Sequence, residues 1–126
     1  MLSEMRMQAA LPAMDFERAK RFYGETLGFQ PEIDGPSAVM YPSGGGTRFV
    51  VFPSPNPNRG GHTQASWVVD DIESVVSDLK SRGVVFEDYD FPTLKTVESI
   101  AEVPNGRAAW FKDPEGNMLG LIEFSR

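Results

Sequence analysis

Few side chains in this sequence could hold a metal or attack a substrate. The chain has 126 residues, no cysteine and one histidine, His62. Thiol nucleophiles, disulfides, Cys-ligated zinc and iron–sulfur clusters are therefore excluded. So is a site of several histidines from one chain. His62 is the obvious candidate for a ligand or a base. It precedes Gln64 by two residues, so on a strand the two side chains point the same way. It also follows Gly60-Gly61, which suits an ordinary histidine at a rim. Trp110 shares strand parity with Ala108 and could stack on a ligand or fill a core. Glu87-Asp88-Tyr89-Asp90 reads as a solvated strand edge. Lys95, Arg107 and Lys112 could meet an anionic ligand, although scattered surface charge is the plainer reading. The sequence has no Gly-rich phosphate loop, nucleophile elbow or zinc-helix motif. Gly44-Gly45-Gly46 is a turn, since no helix N-terminus follows it to hold a phosphate.

Composition narrows the partners. Eighteen acidic and twelve basic residues leave a formal charge of −6. Such a surface repels phosphate backbones and anionic membranes, so neither nucleic acid nor membrane is an expected partner. No apolar run approaches the roughly 18 residues that span a bilayer. Met1 to Met7 carries Glu4 and Arg6 and lacks an apolar core, so it does not read as a signal peptide. A cytoplasmic location is expected. The length suits one domain, or two small repeats sharing a core, without a disulfide or structural metal.

The elements that must position these residues come in two sets. Pro53 to Gly61 is too rich in Pro and Gly for a helix or a central strand. It divides the chain into a first module, residues 1–53, a linker, 54–61, and a second module, 62–126. Leu11-Pro12-Ala13-Met14-Asp15-Phe16-Glu17 lies 56 positions before Trp67-Val68-Val69-Asp70-Asp71-Ile72-Glu73. In each, an apolar stretch leads to an Asp suited to cap a helix. Phe16, Ala19, Phe22 and Tyr23 then follow at helical spacing, as do Ile72, Val75, Val76 and Leu79. Gly28 and Gly83 stand where the helices should end. Strands are expected at Phe29–Ile33, Ser37–Tyr41 and Thr47–Phe52. In the second module they are expected at Val84–Tyr89, Thr96–Glu102, Arg107–Lys112 and Met118–Phe124. Ser43 to Gly46 and Asp113 to Asn117 read as hairpin turns. The order is strand, helix, three strands, stated twice.

These fragments resemble the vicinal oxygen chelate superfamily, which includes glyoxalase I, bleomycin-resistance proteins and extradiol dioxygenases. The match is carried by Asp15-Phe16-Glu17-Arg18-Ala19-Lys20-Arg21-Phe22-Tyr23 with Leu27-Gly28-Phe29. Val69-Asp70-Asp71-Ile72-Glu73, Leu79 to Val84, and Trp110 to Asn117 complete it. The resemblance implies an α+β fold: two βαβββ modules forming a cupped, eight-stranded mixed sheet, with a helix packed outside each module. It also implies a homodimer.

The resemblance further implies where a divalent metal would sit. One ligand in each module lies seven residues before the capping Asp, which here gives Gln8 and Gln64. Another lies seven residues after the Asp of the Asp-Pro turn, which here gives Gly120. Its first-module counterpart falls near Phe49. Ala9, Leu11 and Ala13, like Ala65, Trp67 and Val69, form faces suited to packing under the helices. Gln8 and Gln64 would then face the cup. Hard divalent cations need carboxylate or imidazole donors, so no metal or other cofactor is expected. The implied function is binding of a small, partly apolar molecule. Gln8 and Gln64 would offer amides, Phe49 and Trp110 stacking surface, and Gly120 room. The alternatives are a metal-dependent glyoxalase- or dioxygenase-type enzyme, and a dimerising structural protein with a filled cup.

Overall fold

The computed structural model describes residues 1–56 and 61–125. Residues 57–60 of the expected linker lie outside the described residues. The chain forms two compact units, Met1–Arg59 and Gly60–Arg126.

The first unit opens with a single 3-10 turn, Leu2–Glu4, then β1 (Ala9–Ala13) and α1 (Phe16–Arg21). Asp15 caps α1: its carboxylate accepts from the Arg18 N–H at 3.1 Å. The helical spacing read from the sequence continues past α1, but the backbone widens to a π turn over Phe22–Thr26, with Leu27 N donating to Phe22 O at 3.0 Å. Gly28 follows at φ 85°, a conformation open chiefly to glycine. Strands β2 (Ile33–Asp34), β3 (Val39–Pro42) and β4 (Arg48–Pro53) complete a sheet of order β1-β4-β3-β2. β1 and β4 are parallel, with Ala9 opposite Phe49 and Ala10 opposite Val50. Under α1 lies a cluster of rings. Tyr23 is fully buried, and its centroid lies 5.4 Å from Phe49 and 5.9 Å from Tyr41.

The second unit repeats this frame. β5 (Thr63–Val68) leads to α2 (Ile72–Ser81), capped by Asp71, whose carboxylate accepts from the Ser74 N–H at 3.2 Å. Strands β6 (Asp90–Phe91), β7 (Leu94–Val97), β8 (Ile100–Val103), β9 (Gly106–Lys112) and β10 (Met118–Phe124) follow. Their order is β5-β10-β9-β8-β7-β6, with β5 and β10 parallel. Ile72, Val76, Leu119 and Leu121 pack here, with Trp67 stacked on Phe111 at 6.4 Å.

Three expected strands are corrected. Phe29–Ile33 shrinks to the two-residue β2, ending one residue later. Val84–Tyr89 makes a single bridge, Phe86 to Phe111. Thr96–Glu102 is two strands, because the chain reverses at Glu98 and Ser99, both at positive φ. With the added β6 and β7, the sheets hold four and six strands rather than eight in all.

Candidate functional site

Strand parity sorts the expected site residues. In the first unit, Phe49 is 5% exposed and stacks on Tyr41 at 5.2 Å, beneath α1. Gly120 pairs with Ser66, and the residue 56 positions earlier, Ala10, pairs with Val50. Val50, on the face away from α1, is therefore the counterpart of Gly120, and Phe49 is the counterpart of Leu119. Gln8 precedes β1 and is exposed.

The second unit brings more of the expected set together. Gly120 pairs with Ser66 on one side and with Trp110 on the other. A Cβ placed on Gly120 would meet Ser66 Cβ and Thr63 Cγ2 at 3.4 Å, and Trp110 Cδ1 at 3.6 Å. These side chains share the face opposite α2. Gln64 falls at a β-bulge: Met118 pairs with Thr63 and Leu119 with Ala65, so the register steps past Gln64. Thr63, one residue earlier than the expected Gln64, is the side chain that abuts Gly120. A bulge leaves no mark in spacing alone, which is why Thr63 and Ser66 escape a sequence reading. His62 is exposed just before β5.

Trp110 anchors an aromatic row on this face. Tyr89 meets it edge-on at 5.6 Å, and Phe91 stacks on Tyr89 at 5.9 Å. Burial is the main cause pushing the Tyr89 phenol above its usual pKa. Beside Trp110 the Asp113–Asn117 turn is locked from within. The buried Asp113 carboxylate accepts from the backbone N–H groups of Glu115 and Asn117, each at 2.9 Å, and from the Asn117 amide at 2.7 Å. This network fixes where β9 ends and β10 begins, and hence the pairing of Trp110 with Gly120.

The other face carries the strongest ion pairs of the unit. Arg107 bridges Glu73 at 2.7 Å and Glu123 at 3.0 Å. Hydrogen bonds to Glu73 and then Glu123 raise its pKa, so it stays a fixed cation.

The family's metal does not fit the residues present. The places the family uses hold two neutral amides, an aromatic ring (or its neighbour Val50) and a glycine. None of them offers a carboxylate or an imidazole to offset cation desolvation. Among the described residues, no three His, Cys, Asp or Glu side chains come together. No helix among them is long and apolar enough to cross a membrane.

Comparisons with known proteins now bear on this geometry. The sequence model of the Glyoxalase/Bleomycin resistance protein/Dioxygenase superfamily matches residues 7–121. TnmS3, an antibiotic binding protein from Streptomyces sp. CB03234, is 29% identical, with 99% of each chain covered and a TM-score of 0.74. A superfamily member from Sphaerobacter thermophilus is 28% identical over 98% of this chain and 99% of that one, with a TM-score of 0.71. The bleomycin-binding protein of Streptomyces verticillus, solved with copper(II)-bleomycin, shares the fold at 20% identity. It covers 99% of this chain and 100% of its own, with a TM-score of 0.75. No curated protein matches.

Proposed function

We propose that this chain, which belongs to the Glyoxalase/Bleomycin resistance protein/Dioxygenase superfamily, binds a small, partly apolar molecule without the superfamily's metal. The observation that carries this reading is Gly120. At a place where the family sets a ligating carboxylate, the second unit offers a bare backbone flanked by Trp110, Ser66 and Thr63. An indole face favours planar or apolar groups, and two hydroxyls can both donate and accept. The likeness to an antibiotic binding protein at 29% identity supports a ligand of that size and character. Sequestration of such a molecule fits better than turnover, because the side chains that abut Gly120 are Thr63, Ser66 and Trp110, none of them a carboxylate or an imidazole. We take the working unit to be a homodimer, which light scattering at micromolar concentration tests.

Two measurements test the reading. Protein incubated with excess Ni, Zn, Mn or Fe(II) should retain well under one metal per chain after gel filtration. Stoichiometric retention that disappears in the Gln8→Ala, Gln64→Ala double variant would sink the metal-free reading in favour of an enzyme. Native mass spectra recorded with a panel of partly apolar antibiotics should show one-to-one adducts that weaken in Trp110→Ala. A panel that yields no adduct would leave the filled, structural alternative standing.

A further inference from the structure

On the α2 side of the second unit, the helix packs on β9 and β10. Between α2 and the β7–β8 hairpin lies a cleft of about 1020 Å³. Val76, Leu94, Val97 and Ile100 give it an apolar lining. Val97 is 76% exposed there and so is open to contact. The cleft lies on the face opposite Gly120 and Trp110, so it is not the site proposed above.

Its charges are balanced and only partly used. Three carboxylates (Glu73, Glu98, Glu102) and three cations (Lys80, Lys95, Arg107) line it. Arg107 is held by Glu73 and Glu123, and Lys95 reaches Asp90 only at 3.9 Å. Lys80, Glu98 and Glu102 have no ion-pair partner among the described residues. The Glu73–Arg107 pair fixes the start of α2 over the start of β9, opposite Glu102. Lys80, seven residues along the helix and roughly 10 Å further on, then stands toward the Glu98 end of the hairpin.

The hairpin turn adds a second observation. Glu98 (φ 51°) and Ser99 (φ 72°) both sit in the left-handed region, the pattern of a turn that ordinarily takes Asn-Gly. A non-glycine residue is disfavoured there. Here the turn holds an unpaired carboxylate at the lip of the cleft.

The geometry points to a second ligand site, for a small amphipathic zwitterion: an apolar body with one ammonium and one carboxylate, as in a hydrophobic amino acid or short peptide. The apolar body covers Val76, Val97 and Ile100. The carboxylate meets Lys80, and the ammonium meets Glu98. Equal numbers of charges of each sign select an occupant with no net charge, and a cation and carboxylates without ion-pair partners in one cleft select one that carries both signs.

Nuclear magnetic resonance titration with leucyl-leucine tests this directly. Backbone signals of Val76, Val97 and Ile100 should shift and saturate, while those of Ser66 and Gly120 stay still. N-acetylation or C-amidation of the dipeptide should each weaken binding about threefold, as exposed ion pairs do. Lys80→Met should erase the difference between free acid and amide and leave the acetyl effect intact. Glu98→Gln should do the reverse. Both positions are exposed, so neither variant threatens folding. Absence of saturable shifts at the cleft, or capped and free dipeptides binding alike, would overturn the assignment. It would also be overturned if the shifts appeared at Gly120 instead.

Discussion

The two units share a backbone frame and differ in what fills it. Both begin with a strand, cap a helix with Asp, and close the helix region with a glycine at φ near 90°. Both pair their first and last strands in parallel in the same register. Their hairpin turns close with the same bond, Ser43 N to Thr47 O at 2.8 Å and Asp113 N to Asn117 O at 3.0 Å. Inside, the first unit packs rings: Tyr23, Phe29, Tyr41 and Phe49. The second packs Ile72, Val76, Leu119 and Leu121 with Ala101, Ala108 and Ala109, and keeps Gly120 on the opposite face. A duplicated frame therefore constrains caps and pairing, while the side chains between them are free to diverge. The binding reading belongs to the unit that kept a glycine, not to the one with valine in that place.

The largest expected effect tests the ring-packed core. Tyr23 is fully buried and touches Phe22, Tyr41 and Phe49. Tyr23→Ala should cost about 3–5 kcal/mol, the range for large aromatic truncations. Urea denaturation would show it. A loss near 1 kcal/mol would mean the ring cluster is loosely packed and the contrast between the cores is overstated.

Next comes the turn. Asp113 is 5% exposed, and its removal takes an acceptor from the fully buried Asn117 amide. Asp113→Ala should cost about 2–3 kcal/mol. In the first unit the matching turn is exposed, and Thr47 Oγ1 donates to Gly44 O at 2.5 Å. Thr47→Ala should cost about 0.5 kcal/mol. Equal melting shifts would erase the distinction between a locked turn and a loose one.

The caps should instead behave alike. Asp15→Ala and Asp71→Ala should each cost about 1 kcal/mol, because each carboxylate accepts from the N3 amide. These caps were legible in the sequence, as were the Asp113–Asn117 turn and β10 to the residue, because each is written in local chemistry. What was illegible has a physical reason in each case. Nothing in Glu98-Ser99 announces a reversal, since turn residues are normally Gly, Asn, Asp or Pro. The π turn after α1 keeps its apolar residues at helical spacing while the backbone ladder widens. A run such as Arg48-Phe49-Val50-Val51-Phe52 has apolar residues on both faces, so which of them turn toward α1 cannot be read from it. The bulge at Gln64 likewise leaves no mark in spacing.

The smallest effect on stability should accompany a large effect on binding, at Gly120. Adding a methyl there removes the entropic disadvantage of glycine in a strand, worth about 0.5–1 kcal/mol. Against this stand contacts at 3.4 Å to Ser66 Cβ and Thr63 Cγ2, which must give by a few tenths of an ångström. The two terms nearly cancel, so Gly120→Ala should move stability by less than about 0.5 kcal/mol. The methyl nonetheless projects from the face between Trp110 and Ser66, where a ligand would lie against the backbone. Adducts with any antibiotic bound by the parent protein should therefore weaken at least severalfold. Val50→Gly, the reciprocal change in the first unit, should leave those adducts as they were. Native mass spectra and thermal melts on the two variants give both readouts. If Gly120→Ala binds as the parent does, the bare backbone is not the floor of the site. Weaker binding in Val50→Gly would show instead that the first unit contributes the matching face.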